Sequence, residues 1–299
     1  MKAKILVFTQ LCCGIAHVSL GQEPSASPVK RFNIHDISVT AGSLSEPNSE
    51  TLSDFRLLAP TSALLNNDFT GYSDNNDIQK TTYGSLSVLL GIQFRDKDKT
   101  TYKKNPLLRL GLTYYTGTNM SNSLFKETRM RYDTLTSSQT GQSIYIDSVY
   151  RKAYGMNYYS DQIRFDGSLI YRTNPDARWT FYTGIGITAG LSIKSGTEVY
   201  YNPYTYQEAY FPNGEIQQSI RHSEQSSHIH ESFRNKTNFG FSAYIPMGVT
   251  WQISKKSKLL KHFYLSFEMR PGINITSIPE LYTIKNASIQ YNIGLKYIF

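Results

Sequence analysis

Strict alternation of apolar and polar residues recurs along this chain in eight segments, at about 34–44, 81–95, 106–118, 160–172, 178–194, 238–254, 262–276 and 286–299. Successive side chains of a strand point to opposite faces, so each segment is a strand with one apolar and one polar side. The sixth is the clearest. Phe239, Phe241, Ala243, Ile245, Met247, Val249, Trp251 and Ile253 share one face; Gly240, Ser242, Tyr244, Pro246, Gly248, Thr250 and Gln252 share the other. Pro246 marks a bulge or kink there. In the last segment Ala287, Ile289, Tyr291, Ile293, Leu295, Tyr297 and Phe299 oppose Ser288, Gln290, Asn292, Gly294 and Lys296. Most of these runs exceed the roughly 9–11 residues that a tilted strand needs to cross a bilayer.

The connections alternate in length. Long ones are expected at 45–80, 119–159 and 195–237, with a fourth at 277–285, and short ones at 96–105, 173–177 and 255–261. Long loops on one side and short turns on the other suit a membrane barrel with an even strand count, which leaves both termini on the short-turn, periplasmic side. The fold class predicted is all-β, an antiparallel up-and-down transmembrane barrel of eight strands. A soluble lipocalin-type barrel has the same periodicity with its apolar face inward. An aromatic content of 13 %, with 23 tyrosines recurring near strand ends, favours the membrane form.

The N-terminus agrees. Lys2 and Lys4 precede an apolar run from Ile5 to about Val18, and Ser19-Leu20-Gly21 offers small residues before Gln22. This reads as a cleaved secretory signal over 1–21, with a lipoprotein signal through Cys12 or Cys13 as the alternative. Residues 22–33 read as a periplasmic tail. Both cysteines fall in the signal, so no disulfide or Cys metal site is expected in the mature chain. The mean hydropathy of −0.39 excludes a helical membrane protein. The net charge of +8, two units of it from the signal lysines, forms no basic stripe interleaved with aromatics, so nucleic acid is not an expected partner. Anionic head groups of outer-membrane lipids are.

The polar faces carry candidate lumen residues: Asp36, Gln93, Arg95, Arg109, Arg164, Asp166, Arg172, Lys194, Glu268, Arg270, Gln290 and Lys296. An eight-stranded barrel is just wide enough for side chains to fill it, and an isolated buried charge is costly. The expectation is an ion-pair network centred on Arg164, Asp166, Glu268 and Arg270, with Arg109 and Asp36 nearby. Such a network plugs the lumen; a gated pore is the alternative. Gly184, Gly186 and Gly190 lie on the same inward face and make room inside a narrow barrel, without the spacing of a phosphate loop. Within 119–159, Thr128–Leu135 and Ser143–Tyr150 flank a turn-rich stretch and read as a hairpin prolonging two wall strands. Tyr200, Tyr201, Tyr204, Tyr206, Tyr210 and Phe211 form a candidate loop binding surface, against the plainer reading that these rings pack on one another and on the rim. His222, His228 and His230, with Glu224 and Glu231, are too sparse for a metal site to be assigned. There is no Gly-x-Ser-x-Gly, and the adjacent His222 and Ser223 would point to opposite strand faces, so no catalytic residue and no cofactor is expected.

Three stretches carry a resemblance: Tyr297-Ile298-Phe299, Tyr182-Thr183-Gly184-Ile185-Gly186, and Leu58-Ala59-Pro60-Thr61-Ser62 followed by Leu65-Asn66-Asn67-Asp68. With them the chain resembles the OmpA/OmpX-like eight-stranded outer-membrane barrels, particularly those of Bacteroidota. The resemblance implies that Tyr297 and Phe299 form a signal read by the barrel-insertion machinery, and that loss of Phe299 reduces assembly. Asp133-Thr134-Leu135 and Asp147-Ser148-Val149 likewise resemble the O-glycosylation sequon of that group. Function is left to three readings: a non-enzymatic barrel whose loops bind other outer-membrane or surface proteins, a narrow pore, or a lipid-modifying barrel enzyme, as some eight-stranded outer-membrane barrels are.

Overall fold

The computed structural model describes residues 31–47, 50–74, 80–96, 101–174, 177–220 and 228–299, without the side chains of 217–220. The expected signal and most of the tail, together with His222, Ser223 and Glu224, lie outside these residues. The elements are β1 (Phe32–Pro47), α1 (Leu52–Leu58), β2 (Ser73–Asp74), β3 (Lys80–Arg95), β4 (Tyr102–Thr116), β5 (Thr118–Thr136), β6 (Ser143–Arg172) and β7 (Trp179–Tyr210). They continue with β8 (Ile216–Ile220), β9 (Ile229–Arg234), β10 (Phe239–Tyr244), β11 (Met247–Gln252), β12 (Phe263–Ser277) and β13 (Thr283–Ile298).

Antiparallel pairing runs β1–β3–β4–β6–β7, passes through β10 and β11 to β12 and β13, and returns from β13 to β1. The sheet closes on itself as an eight-stranded up-and-down barrel, because β10 and β11 are two halves of one wall strand. They are separated at Ile245–Pro246, where the proline has no N–H to donate. The pairing with β12 keeps its register across the gap, from Tyr244↔Gly272 to Met247↔Met269, so Pro246 interrupts the ladder without the expected bulge.

The stagger of the barrel can be followed from residue to residue. From Ser192 on β7 the partners are Gln162, Tyr115, Ser85, Gly42, Asn292, Glu268 and Gly248, and the circuit returns to β7 at Tyr182, ten residues from its start. With about 3.3 Å per residue and 4.8 Å between strands, that stagger tilts the strands by about 40° and gives a radius of about 8 Å. Such a cylinder has room for side chains and little else.

The outer wall is apolar. Val39, Leu112, Phe165, Phe181, Ile187, Leu191, Phe239, Phe267 and Ile293 point outward, with exposures from 42 % at Val39 to 64 % at Ile293. Phe181 to Leu191, on a strand tilted by about 40°, covers about 25 Å along the barrel axis, the height of a lipid-facing band. The interior is polar instead, with Asp36, Ser87, Thr113, Asp166, Ser168, Thr188, Asn274 and Asn292 all buried. This is the inverse of a lipocalin-type barrel.

A bulge corrects one expectation. Asp161 pairs with Lys194 and Gln162 with Ser192, which leaves Ile193 without a partner. One extra residue reverses side-chain parity, so the even-numbered residues that face inward up to Ser192 face outward beyond it. Lys194 is therefore exposed, with its ammonium 5.1 Å from the Tyr159 ring, and is no lumen residue.

The connections at 119–159 and 195–237 are largely strand. β6 has 30 residues and β7 has 32, and both run on well beyond the apolar band. Flanked by β5 on one side and by β8 and β9 on the other, they form a projecting sheet. The 277–285 connection is a short turn, with the Leu281 N–H bonded to the Ile278 carbonyl. The 45–80 connection carries α1, started by a capping box in which the Thr51 N–H donates to Asp54 Oδ2 at 2.8 Å. Phe55, Leu58, Ala59, Leu64 and Leu65 are buried against Met120, Tyr154, Met156, Tyr158 and Val199, so this segment stoppers the mouth beneath the projecting sheet.

Candidate functional site

Two places gather the singled-out residues, the lumen and the projecting sheet. Midway down the lumen, Arg109 Nη1 meets Glu268 Oε2 at 2.5 Å, and Arg270 donates to Glu268 and, at 2.7 Å, to Asp166. Tyr244 and Thr113 hydroxyls also donate to Asp166, and Arg109 Nε donates to Ser168 at 3.0 Å. The guanidinium carbons of Arg109 and Arg270 lie 5.4 and 4.7 Å from the ring centres of Tyr182 and Tyr244. Those rings fit because their neighbours are glycines: a Cβ on Gly186 would strike the Tyr244 ring, and one on Gly248 the Tyr182 ring. The layer alternates cation and anion across strands β4, β12 and β6, in contact distances that exclude water from between the partners. Both oxygens of each carboxylate are engaged, which is what makes such burial tolerable.

Arg164 is not part of this chain. Its donors go to Gln162 Oε1 at 2.7 Å, Ser242 Oγ at 2.8 Å and Asn274 Oδ1 at 2.6 Å, and its plane covers Tyr115. No carboxylate lies at ion-pair distance from it among the described residues. Asp36 sits apart as well, accepting from His35 Nδ1 at 2.7 Å with Lys296 at 3.9 Å. The sequence reading missed Glu46, which is buried in the lumen near Arg164, although it continues the even-numbered inward run of β1 from Asp36. It also gave no role to Gln162, Asn274, Tyr182 and Tyr244. Their polar-face parity was legible; their contacts depend on the stagger.

On the projecting sheet, outward residues of β5, β6 and β7 form a cross-strand ladder. Arg131 donates to Asp147 at 2.8 Å and to the Tyr210 hydroxyl at 2.8 Å, and its guanidinium covers the Tyr145 ring at 4.2 Å. Arg129 joins Glu208 and Glu127, Arg151 stands 3.6 Å from Glu127, and the Tyr206 hydroxyl donates to Glu127 at 2.9 Å. Burial and the Glu127 carboxylate push the Tyr206 hydroxyl up to about 12. Tyr200 accepts from Asn157 at 2.6 Å, and Tyr201 lies on the other face of the sheet against Tyr154, 4.7 Å between ring centres. Tyr200, Tyr201, Tyr204, Tyr210 and Phe211 are half-buried and Tyr206 is buried, each tyrosine engaged by neighbours within the chain. The large apolar groups most exposed above the band are others, namely Met130, Tyr132, Ile216, Leu57 and Leu135.

Tyr297 packs against Phe263 and Phe299, with ring centres 5.1 and 5.3 Å away, while the Phe299 side chain is 67 % exposed. Asp133 and Thr134 are exposed near the hairpin tip, whereas the Asp147 carboxylate is taken by Arg131 and Tyr210. His228 and His230 are exposed, and Glu231 is bonded to Ser62. Among the described residues no group of three or more His, Cys, Asp or Glu is placed to hold a metal.

No protein-family model matches the chain, and no curated protein matches it. Among solved structures, it is similar to Neisserial surface protein A at 10 % identity and a TM-score of 0.28, over 90 % of this chain and 98 % of that one. The attachment invasion locus protein Ail of Yersinia pestis, solved with the heparin analogue sucrose octasulfate, gives 10 % and 0.22 over 89 % and 100 %. OmpT, an outer-membrane protein of Vibrio cholerae, gives 10 % and 0.14 over 93 % and 100 %. The eight-stranded closure is given by the strand pairing of the chain itself.

Proposed function

We propose that the chain is an integral outer-membrane protein of the OmpA/OmpX-like kind, without enzymatic activity, that holds a rigid sheet outside the cell for binding a protein partner. The observation that carries this is the length of β6 and β7. A bilayer needs about 9–11 residues per strand, and these have 30 and 32. Beyond Ile193, β7 continues for about 50 Å of strand. That excess is flanked by β5 along β6 and by β9 and β8 along two stretches of β7, and it is tied by arginine–carboxylate and tyrosine contacts, so it is ordered before any partner arrives. The apolar outer band supports a bilayer location. The stoppered mouth and the charged layer beneath it argue against a conducting pore. The rim with Phe32 and Phe299 is then periplasmic, and α1 and the projecting sheet are extracellular.

The register offers a clean test. Lys126 faces Lys152 across β5 and β6, so residues 127–151 can be replaced by Asn-Gly, a two-residue turn that keeps the strands aligned. Tagged full-length and shortened proteins are purified from outer membranes in mild detergent, and retained proteins are identified by mass spectrometry. A stoichiometric companion held by the first and lost from the second is the expected result. Identical companions, or none with either, would remove the binding role while leaving the barrel.

A further inference from the structure

The turn at 253–262 joins β11 to β12 on the rim that carries Phe299. Adjacent antiparallel strands need as few as two linking residues, and this link is much longer. Lys255, Lys256, Lys258 and Lys261 are all exposed on it, and the sequence holds no Asp or Glu between Glu231 and Glu268. Among the described residues none of these four ammonium groups has a carboxylate at ion-pair distance.

The turn is nonetheless shaped. Ser254 Oγ accepts from the N–H of Lys256 and of Ser257, at 3.2 and 3.3 Å. Ser257 Oγ accepts from the Leu260 N–H at 3.3 Å, and Gln252 Nε2 donates to the Lys261 carbonyl at 2.8 Å. Held this way, the turn presents Leu259 with 70 % and Leu260 with 41 % of their surface free. Beside it stand Trp179 and Trp251, stacked at 5.7 Å, with Arg178 over Trp251. Two bare leucines next to a tryptophan pair belong at the edge of an apolar phase, and four unpaired lysines around them belong among anions.

We propose that this turn binds the phosphate-bearing headgroup of an anionic phospholipid in the leaflet it faces, with Leu259 and Leu260 set among the acyl chains. The site rests on the reading of the outer band as membrane-spanning. Lysines near an anionic surface each contribute about 1 kcal/mol, a factor of about five in binding. Zwitterionic lipid offers the same phosphate without the net charge and gains much less.

Trp179 and Trp251 are the only tryptophans of the chain, so its own fluorescence reports on this rim. The full chain is folded into phosphatidylcholine vesicles containing lipid with brominated acyl chains, either phosphatidylcholine or phosphatidylglycerol, and quenching is compared. The expected result is a preference of about fivefold or more for phosphatidylglycerol. It should shrink at about 1 M salt, where the screening length is about 3 Å. Replacing the four lysines with Gln (K255Q, K256Q, K258Q, K261Q) should bring the ratio near one, with the heat-modifiable barrel unchanged. Inorganic phosphate added to phosphatidylcholine vesicles should leave the emission alone; a response to it would assign the site to free phosphate and overturn the lipid reading. Equal quenching by both lipids in the unaltered protein, or a preference that survives the Gln variant, would overturn the site. Absence of quenching by either lipid would instead refute the membrane-spanning reading.

Discussion

Replacing Glu268 by Gln tests whether the charged layer holds the barrel together. The carboxylate accepts from Arg109 through one oxygen and from Arg270 through the other, and its side chain is 4 % exposed. Glutamine keeps the shape but turns one acceptor into a donor aimed at a guanidinium, and leaves Arg109 without a carboxylate. Arg270 retains Asp166 at 2.7 Å. Breaking a buried pair by removing one partner costs about 3–5 kcal/mol, and with one of the two arginines still paired the lower part of that range applies. Urea unfolding in lipid vesicles, followed by heat-modifiable mobility on gels, reads this directly. With a slope of about 2 kcal/mol per molar urea, the midpoint should fall by about 1.5 M. Changing Arg109 to Met in the same chain should recover part of the loss, because no buried charge is then left alone. A midpoint for Glu268→Gln equal to that of Asp133→Asn, an exposed control, would show that the layer contributes nothing; a double variant worse than the sum of the singles would show that the pairing argument is wrong.

Gly248→Ala should cost about 1–3 kcal/mol by the same urea assay, since the added methyl strikes the Tyr182 ring and also crowds the Phe267 carbonyl; Tyr182→Val in the same chain should restore only the part due to the ring. In planar bilayers the protein should give no conductance steps above an empty-membrane control, and excising the α1 segment should leave it silent because the Arg109–Glu268–Arg270–Asp166 layer remains. In the projecting sheet, the Tyr206 hydroxyl is pushed to about 12 from an ordinary value of 10. Its neutral form is therefore favoured by folding, so its contribution is complete below pH 10 and fades as the pH rises to 12. Tyrosinate absorbance should show late-titrating groups over that window, one fewer of them in Tyr206→Phe.

Period-two alternation follows from strand geometry alone, so the number of wall strands and the residues of each that share a face are legible without any tertiary structure. The run of even positions from Asp36 reaches Glu46, two residues past the Leu44 at which the alternation predicts the segment to end. Which of the two faces is inside was a matter of weighing composition and flanking signals; the exposed Phe181 and Phe267 against the buried Asp166 and Arg270 answer it directly. Parity fails where one residue is inserted: the bulge at Ile193 cannot be read from alternation, and it turns Lys194 outward. Pairings in the lumen were also beyond the sequence. Arg164 and Asp166 are neighbours on one face of β6, yet the first bonds to two amide oxygens and a hydroxyl, and the second to Arg270. That choice is set by the ten-residue stagger, which fixes the height at which each strand delivers its side chains, and stagger belongs to the closed sheet rather than to any one strand. The stopper formed by α1 was hidden for a similar reason, since its apolar residues look like ordinary loop content until the barrel mouth beneath gives them something to cover.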